Sequence, residues 1–284
     1  EYAVYFGDLH VIMTGQGNQS SLKGTEYALR WARDISCIDF CTITNFTNRW
    51  DEDCALDDRF NQPGEFVTIP GYEKGFAAGH KNVYFPTTGV PAEEGANAEE
   101  LFAALAGREA LVIPHHTSVF SEASRRKGWG EHDFQTHNPH FERLIEMTQN
   151  RGSMELEEVG GNIYFGNTGS SVWSALQQGM KVGFVGGTDT HRAQPGEPNS
   201  ALGGLDPEDV TVGGLTAVLS HELTREAVWD ALRSRRCYAT QGQRTLLLFE
   251  LSGYSMGSII QGDAAQSLRR SRGFRARILT HHPI

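Results

Sequence analysis

Short apolar runs alternate along the chain with segments in which apolar residues follow helical spacing. The runs Tyr2–Phe6, Ile35–Thr44 and Glu65–Glu73 predict strands, whereas Thr25–Arg33 predicts a helix. A second helix is predicted at Asn97–Gly107, with Asn97 as N-cap and Gly107 at its C-terminal end. The same patterns predict strands at 79–85, 110–116, 144–147, 181–186, 215–219, 245–251 and 274–279, and helices at 170–180 and 224–233. Such alternation favours a mostly parallel sheet.

Polar side chains recur where these predicted strands end. In a β/α barrel the C-terminal ends of the strands converge on one face, and catalytic residues come from several strands. We therefore predict an α/β fold, a TIM-like β/α barrel, with a single domain over residues 1–284 and a metal site at the strand ends. Residues 117–141 are polar and predict an insertion, or lid loop, over one end of the domain. The strand-end residues are His10, Asn45, Glu73, His115, Glu146 and Asp189.

The segment Val185–His191 carries the most compact candidate site, since Asp189 and His191 follow a buried strand and a glycine turn. These two side chains can reach one metal, although an Asx turn followed by a surface histidine gives the same pattern. Histidines mixed with carboxylates suit Zn, Mn or Fe better than Ca or Mg. A metal pair of this kind favours hydrolysis of phosphoesters by activated water.

The net charge of the chain restricts the kinds of partner that it is expected to bind. The net charge is -10 and the pI is about 5.6, which argues against nucleic-acid or anionic-membrane binding. The expected partner is a small anionic molecule. No apolar run approaches the roughly 18 residues that span a bilayer. We expect a soluble protein whose natural chain continues beyond Ile284; a leader, the compartment and the oligomeric state are not predictable from this sequence.

Six blocks in order resemble the PHP (polymerase and histidinol phosphatase) superfamily of metallohydrolases, and within it the DUF3604 group. They are Tyr5–His10, Ile38–Thr44, Pro70–Glu73, Gly79–Phe85, Ile113–His116 and Gly187–His191. The resemblance implies a distorted β/α barrel with a metal cluster at the C-terminal strand ends. It also implies that these residues bind one or two divalent ions of Zn, Mn or Fe: His10, Glu73 as the bridging carboxylate, His80, His115, Asp189 and His191.

Three positions depart from the family pattern. Ile12 stands where a second histidine belongs, Asn45-Phe46 stands where Asp-His is usual, and the loop Gly15–Ser20 offers no ligand. His116 occupies a position where the family tends to have proline, and we expect it to point away from the metals or to pack. The departures predict one or two metals rather than three, and three protein ligands plus water still make a catalytic shell.

The predicted function is a metal-dependent hydrolase that acts on phosphoesters, in which His191 and Arg192 protonate the leaving group or hold the anion. Glu146 stays open between a ligand, a general acid and a solvated carboxylate. Two alternatives remain at this stage. One is a degenerate barrel that binds a ligand without catalysis, and the other is a one-metal hydrolase of a carbohydrate or amide bond.

Overall fold

The computed structural model describes residues 2–13, 22–118, 132, 134–156, 169–197 and 213–280. Its strands form one five-stranded and three three-stranded sheets. In chain order the strands are β1 (Ala3–Val11), β2 (Phe40–Ile43), β3 (Val67–Thr68), β4 (Gly71–Lys74), β5 (Lys81–Tyr84), β6 (Leu111–Pro114), β7 (Leu144–Gln149), β8 (Gly152–Ser153), β9 (Gly183–Gly186), β10 (Leu215–Ser220), β11 (Cys237–Thr240), β12 (Leu246–Leu251), β13 (Tyr254–Ser255) and β14 (Phe274–Leu279).

The α-helices of the described residues are short, and none of them is long and apolar enough to cross a bilayer. The predicted N-cap is confirmed, because the Asn97 side chain accepts a hydrogen bond from the Glu100 N–H. The predicted C-cap is wrong, because this helix ends at Ala104 with Leu105 as its C-cap, and Gly107, with φ +80°, lies in the turn that follows. The helices are α1 (Leu22–Arg30), α2 (Trp50–Phe60), α3 (Ala98–Ala104), α4 (Val172–Gln177), α5 (Arg225–Arg233) and α6 (Gly262–Arg270).

The five-stranded sheet has the order β11-β10-β1-β2-β3 and is mixed. Strands β1, β2 and β3 are parallel, whereas β10 runs antiparallel to both β1 and β11. β1 is longer than predicted and includes His10 instead of ending before it. The predicted strand Ile35–Thr44 is only Phe40–Ile43, because Trp31–Ile35 continues α1 as a π-helical turn.

The second sheet has the order β4-β5-β6 and is entirely antiparallel, so the expectation of mostly parallel strands is wrong here. The predicted strand Glu65–Glu73 is divided into β3 and β4 on either side of Pro70. Proline has no N–H to donate to a ladder, and this accounts for the break. β3 extends the first sheet, and β4 begins the second.

The third sheet, β8-β7-β9, reaches the first one through the end of β9. Strands β7 and β9 are parallel, and an isolated bridge pairs Val11 with Thr190. The Ile12 N–H donates to the Thr190 carbonyl at 3.0 Å. Hydrogen bonds between the described strands close no ring, so the β/α barrel remains a prediction. Of the predicted lid, residues 119–131 and 133 lie outside the described residues.

The main core lies where these sheets meet. It contains buried apolar side chains from both β1 and β2, such as Leu9 and Phe40, from β7 and β9, such as Leu144 and Val185, and Trp229 of α5. A second cluster joins α1 to Val11 and Cys41. Burial of this apolar surface is the main stabilising term for the sheets that present the site.

The C-terminal sheet, β13-β12-β14, contrasts with the other three. Register places the apolar pairs Leu247–Ile278, Phe249–Ala276 and Leu251–Phe274 on one face, since alternate residues of a strand share a face. Only Leu247 packs against a core cluster, whereas Phe274 is 67% exposed and Ile278 47% exposed. This sheet therefore contributes little to the core that supports the site.

Candidate metal centre

His10 is held by a carboxylate of another sheet. Its Nδ1 lies 2.8 Å from Oε2 of Glu146 on β7, and both side chains are buried. Gly187 makes this approach possible, because a Cβ there would lie 2.6 Å from the His10 Cβ and 3.0 Å from the Glu146 carboxylate. The contact fixes the imidazole so that Nε2, the opposite ring nitrogen, faces Glu73 at 3.5 Å and Asp189 at 3.6 Å.

The antiparallel sheet β4-β5-β6 brings the side chains of Glu73, His80 and His115 close together. Because β5 runs against both of its neighbours, His80 at its start lies beside Glu73 on β4 and His115 just after β6. His80 Nδ1 is 2.9 Å from Glu73 Oε1, and His115 Nε2 is 3.7 Å from the same oxygen. The rings of His10 and His115 are 4.2 Å apart between centroids. The antiparallel direction of β5 thus explains why His80, which precedes that strand, lies beside Glu73 and His115, which lie at the ends of β4 and β6.

Asp189 completes the group from the segment after β9. It has φ +50°, a left-handed conformation that Asp tolerates better than most residues, and its N–H donates to the His10 carbonyl at 2.7 Å. Its Oδ1 lies 3.2 Å from His191 Nε2. Its Oδ2 accepts from Gln149 Nε2 at 2.8 Å and also contacts the Arg151 guanidinium.

Asp8 anchors that segment to β1. Its fully buried carboxylate accepts from the Thr188 N–H at 3.0 Å, the Thr188 hydroxyl at 2.6 Å, the Gly196 N–H at 2.9 Å and the His10 N–H at 3.1 Å. Since His10 lies on β1 and Thr188 directly precedes Asp189 in the segment after β9, these hydrogen bonds hold that segment against β1.

Buried polar atoms without partners point into this group. His10 Nε2, Glu73 Oε2 and both ring nitrogens of His115 have no hydrogen-bond partner among the described residues. Leaving such atoms buried and unsatisfied is costly. One ligand atom from each of these three residues lies within 4.8 Å of the others. A nitrogen and oxygen donor set of this kind fits a divalent transition metal, and the Glu146 contact to His10 is the usual support for a ligating imidazole.

Electrostatics favour a cation in the same place. Burial would raise the pKa of Glu73, but His115 and His10 hold the pKa well below its usual value. Burial, with the charge of His10 added, lowers the pKa of His115 to about 4. Burial would lower the pKa of His10, yet the charges of Glu146 and Glu73 outweigh it and raise the pKa to about 9. Glu73 and His115 are therefore ready to bind at neutral pH, whereas His10 must first release a proton.

The structure brings together seven of the eight residues that the sequence singles out: His10, Glu73, His80, His115, Glu146, Asp189 and His191. Arg192 is exposed beside them. Glu146 is only 3% exposed, so its interpretation as a solvated carboxylate is wrong. Asn45 lies in a separate network, where it accepts from the Met13 N–H and donates to Asp53. Ile12 is buried and offers no ligand atom.

A family model described as "Protein of unknown function (DUF3604)" matches residues 14–160 and 200–270. These ranges cover more than half of the sequence. The chain belongs to the DUF3604 family. The matched ranges include Glu73, His80, His115 and Glu146 of the candidate centre. His10, Asp189 and His191 lie outside them.

Curated relatives of this DUF3604 chain are much longer proteins. A protein of Chlamydia trachomatis serovar D, named only "Uncharacterized protein", is 26% identical over 275 residues, which are 87% of this chain and 41% of the relative. A Chlamydia muridarum protein with the same name is 32% identical over 167 residues, or 56% of this chain and 25% of the relative. The chain spans less than half the length of both.

One solved structure aligns with most of this chain. It is a two-domain protein from Bacteroides vulgatus, described as containing a predicted PHP-like metal-dependent phosphoesterase. The comparison has a TM-score of 0.49 and 17% identity, and covers 84% of this chain and 65% of the other. The assignment of this chain to the DUF3604 family rests on the family model.

Three residues of the site are not predicted by the sequence patterns. Gln149 and Arg151 contact Asp189 from the end of β7, and Asp8 anchors the segment that carries Asp189. The polar run Thr148–Arg151 directly after the apolar part of β7 was the available signal for the first two. Asp8 lies inside a strand that continues beyond its apolar residues, so nothing in the pattern marked it.

Proposed function

We propose that this chain is a metal-dependent hydrolase that cleaves phosphate esters. The observation that carries the proposal is the buried group of His10 Nε2, Glu73 Oε2 and the His115 ring nitrogens, which have no hydrogen-bond partner among the described residues and lie within reach of one another. Such a group satisfies its hydrogen-bonding and charge requirements by binding a cation. A divalent ion there would act as a Lewis acid and lower the pKa of an attacking water.

The residues around this site form two groups: those that would bind the metal ion and those that would face the substrate. His10, Glu73, His80, His115 and Asp189 would hold one or two ions of Zn, Mn or Fe. Glu146 orients His10 through Nδ1, and Gln149 orients Asp189. This arrangement favours a positioning role for Glu146 over that of a general acid.

His191 is the most accessible member of the group, with a side chain that is 27% exposed. With exposed Arg192 beside it, it is suited to contact an anionic substrate. Burial and the nearby charge of Arg151 lower the pKa of His191 to about 4, so the neutral ring favours substrate binding over protonation of a leaving group. Arg151 adds a positive charge next to Asp189. The positive charges of Arg151 and Arg192 would suit an anionic substrate even though the net charge of the protein is -10.

Metal content per chain is the first test. Protein stripped with a chelator would be incubated with Zn²⁺, Mn²⁺ or Fe²⁺, desalted and analysed by plasma mass spectrometry, and then assayed with a nitrophenyl phosphate monoester and diester. We expect one to two equivalents of metal and turnover of at least one ester. The Glu73→Gln, His115→Gln double variant should lose both, and the control His140→Gln, at an exposed histidine, should lose neither.

The outcomes separate the proposal from its rival. Absence of metal from the parent protein after all three incubations contradicts the proposal and leaves a domain that binds ligands without a metal. Metal uptake without hydrolysis of either ester retains the centre and contradicts the phosphoesterase assignment.

A further inference from the structure

His116 lies against the centre in a strained conformation. It follows His115 directly after β6, is 6% exposed and has φ +35°, in the left-handed region that residues other than glycine seldom adopt. Its ring centroid lies 4.7 Å from that of His80 and 4.4 Å from that of His115. The left-handed turn therefore brings the imidazole towards the other two, whereas the sequence favoured a side chain that points away or packs.

These three histidines form a second group with the geometry of a ligand set. One ring nitrogen from each of His80, His115 and His116 lies within 4.8 Å of the others. His115 is 1% exposed, and neither of its ring nitrogens has a hydrogen-bond partner among the described residues. Whichever tautomer His115 adopts, one buried acceptor nitrogen is thus available to a cation.

We infer that His116 is a metal ligand, and that with His80 and His115 it makes an all-nitrogen cation position next to the side chains of His10 and Glu73. Neutral His115 has one acceptor nitrogen, so it binds an ion either here or at the position formed with His10 and Glu73. The inference rests on the proposed function, since it assigns a further ligand to the same centre. His116 would supply a ligand nitrogen to the centre, which neither Ile12 nor Asn45 does.

The donor chemistry predicts which ion this position selects. Three imidazoles favour Zn²⁺, Co²⁺ or Ni²⁺ over Mn²⁺ and Mg²⁺, which prefer oxygen ligands. Glu73 Oε1 lies 2.9 Å from His80 Nδ1, so the carboxylate stands next to this position and can balance the charge of the ion. The centre should accordingly discriminate between metals more strongly than one built from Glu73, His10 and Asp189 alone.

The test is titration of chelator-stripped protein with Co²⁺, followed by its visible absorption, and with Zn²⁺ in competition with a chromogenic chelator. The decisive variant is His116→Asn, because asparagine tolerates the left-handed conformation and removes the imidazole. We expect loss of one Co²⁺ equivalent, or a Zn²⁺ affinity lowered at least about tenfold, since even outer contacts of metal ligands cost 10- to 100-fold. The control His140→Asn removes an exposed histidine and should leave both titrations unchanged.

Folding is checked without metal. The thermal midpoint of the metal-free His116→Asn variant should match that of the parent, and His116→Gly, which accepts the same φ without strain, repeats the titration if it does not. Parental Co²⁺ stoichiometry and Zn²⁺ affinity in these variants would overturn the role of His116 and leave the proposed function intact. A parent that takes up neither ion would instead defeat both.

Discussion

Glu146 is the residue on which the orientation of His10 depends. It lies 2.8 Å from the Nδ1 atom of His10, and its other oxygen accepts from Gln149 Nε2 at 3.1 Å. Gln149 in turn donates to Asp189. The chain of contacts ties a histidine of β1 to an aspartate of the segment after β9. A change at Glu146 should therefore affect the metal centre without removing a direct ligand.

We predict that Glu146→Gln lowers metal affinity about 10- to 100-fold, the usual cost of losing a partner behind a ligating histidine. The amide keeps the shape of the side chain but not the charge that raises the pKa of His10. Competition of the variant and the parent for Zn²⁺ against a chromogenic chelator measures the change. Glu155→Gln, an exposed carboxylate, serves as control. Equal affinities for Glu146→Gln and parent would show that the contact does not support His10.

At the scale of elements, β5 shows what the sequence could and could not predict. The run Gly79–Phe85 correctly predicts a strand led by His80, but its direction depends on hydrogen bonds with β4 and β6, which no local pattern encodes. The prediction of parallel strands is wrong for this sheet. Because β5 is antiparallel to β4 and β6, its start lies at the same edge as their ends, and His80 therefore lies beside Glu73 and His115. The local sequence pattern identified the candidate ligands, whereas the long-range pairing of the strands determines how these side chains meet.

A buried ion pair fastens β5 to the segment before β7. Lys81 Nζ lies 2.5 Å from Glu142 Oε1, both side chains are 1% exposed, and His137 and the Asn138 N–H contact the other carboxylate oxygen. Burial would raise the pKa of Glu142, but the charge of Lys81 lowers it below the usual 4.5. Removal of Lys81 leaves a buried carboxylate without its countercharge.

Lys81→Met should therefore destabilise the protein by about 3–5 kcal/mol at pH 7. Because the folded pKa of Glu142 lies below the unfolded one, the pair contributes stability above about pH 4.5 and loses it as pH falls through the folded pKa. The difference between parent and variant should shrink in acid. Urea unfolding at pH 7 and at about pH 3.5 measures it. Lys74→Met, which removes the more exposed partner of Glu94, should cost less than about 1 kcal/mol. A similar cost for both variants would contradict the prediction.

At the scale of the whole molecule, the centre joins parts of the chain that no single sheet connects. Its residues come from β1, β4, the end of β6, β7 and the segment after β9, so a bound ion would cross-link three sheets. Binding to the folded state alone raises stability by mass action. The metal should consequently act on global unfolding and not only on the local loops.

We expect Zn²⁺ at 100 times its dissociation constant to stabilise the folded protein by about 2.7 kcal/mol. For a chain of 284 residues that corresponds to a rise of about 4–5 °C in the thermal midpoint. Calorimetry with and without a chelator measures the shift. Glu73→Gln, which removes a ligand charge, should abolish most of it. Identical midpoints for metal-loaded and stripped parent protein would rule out an ion in the centre.

The hydrogen bonds between Asp8 and Thr188 span 180 positions of the chain, and this separation has a consequence for biosynthesis. At about 5–20 residues per second, a ribosome makes Thr188 roughly 10–40 s after Asp8. During that interval His10 has no Asp189 beside it. The complete centre, with Asp189 beside His10, therefore forms only after the segment from Thr188 to Gly196 has docked on β1.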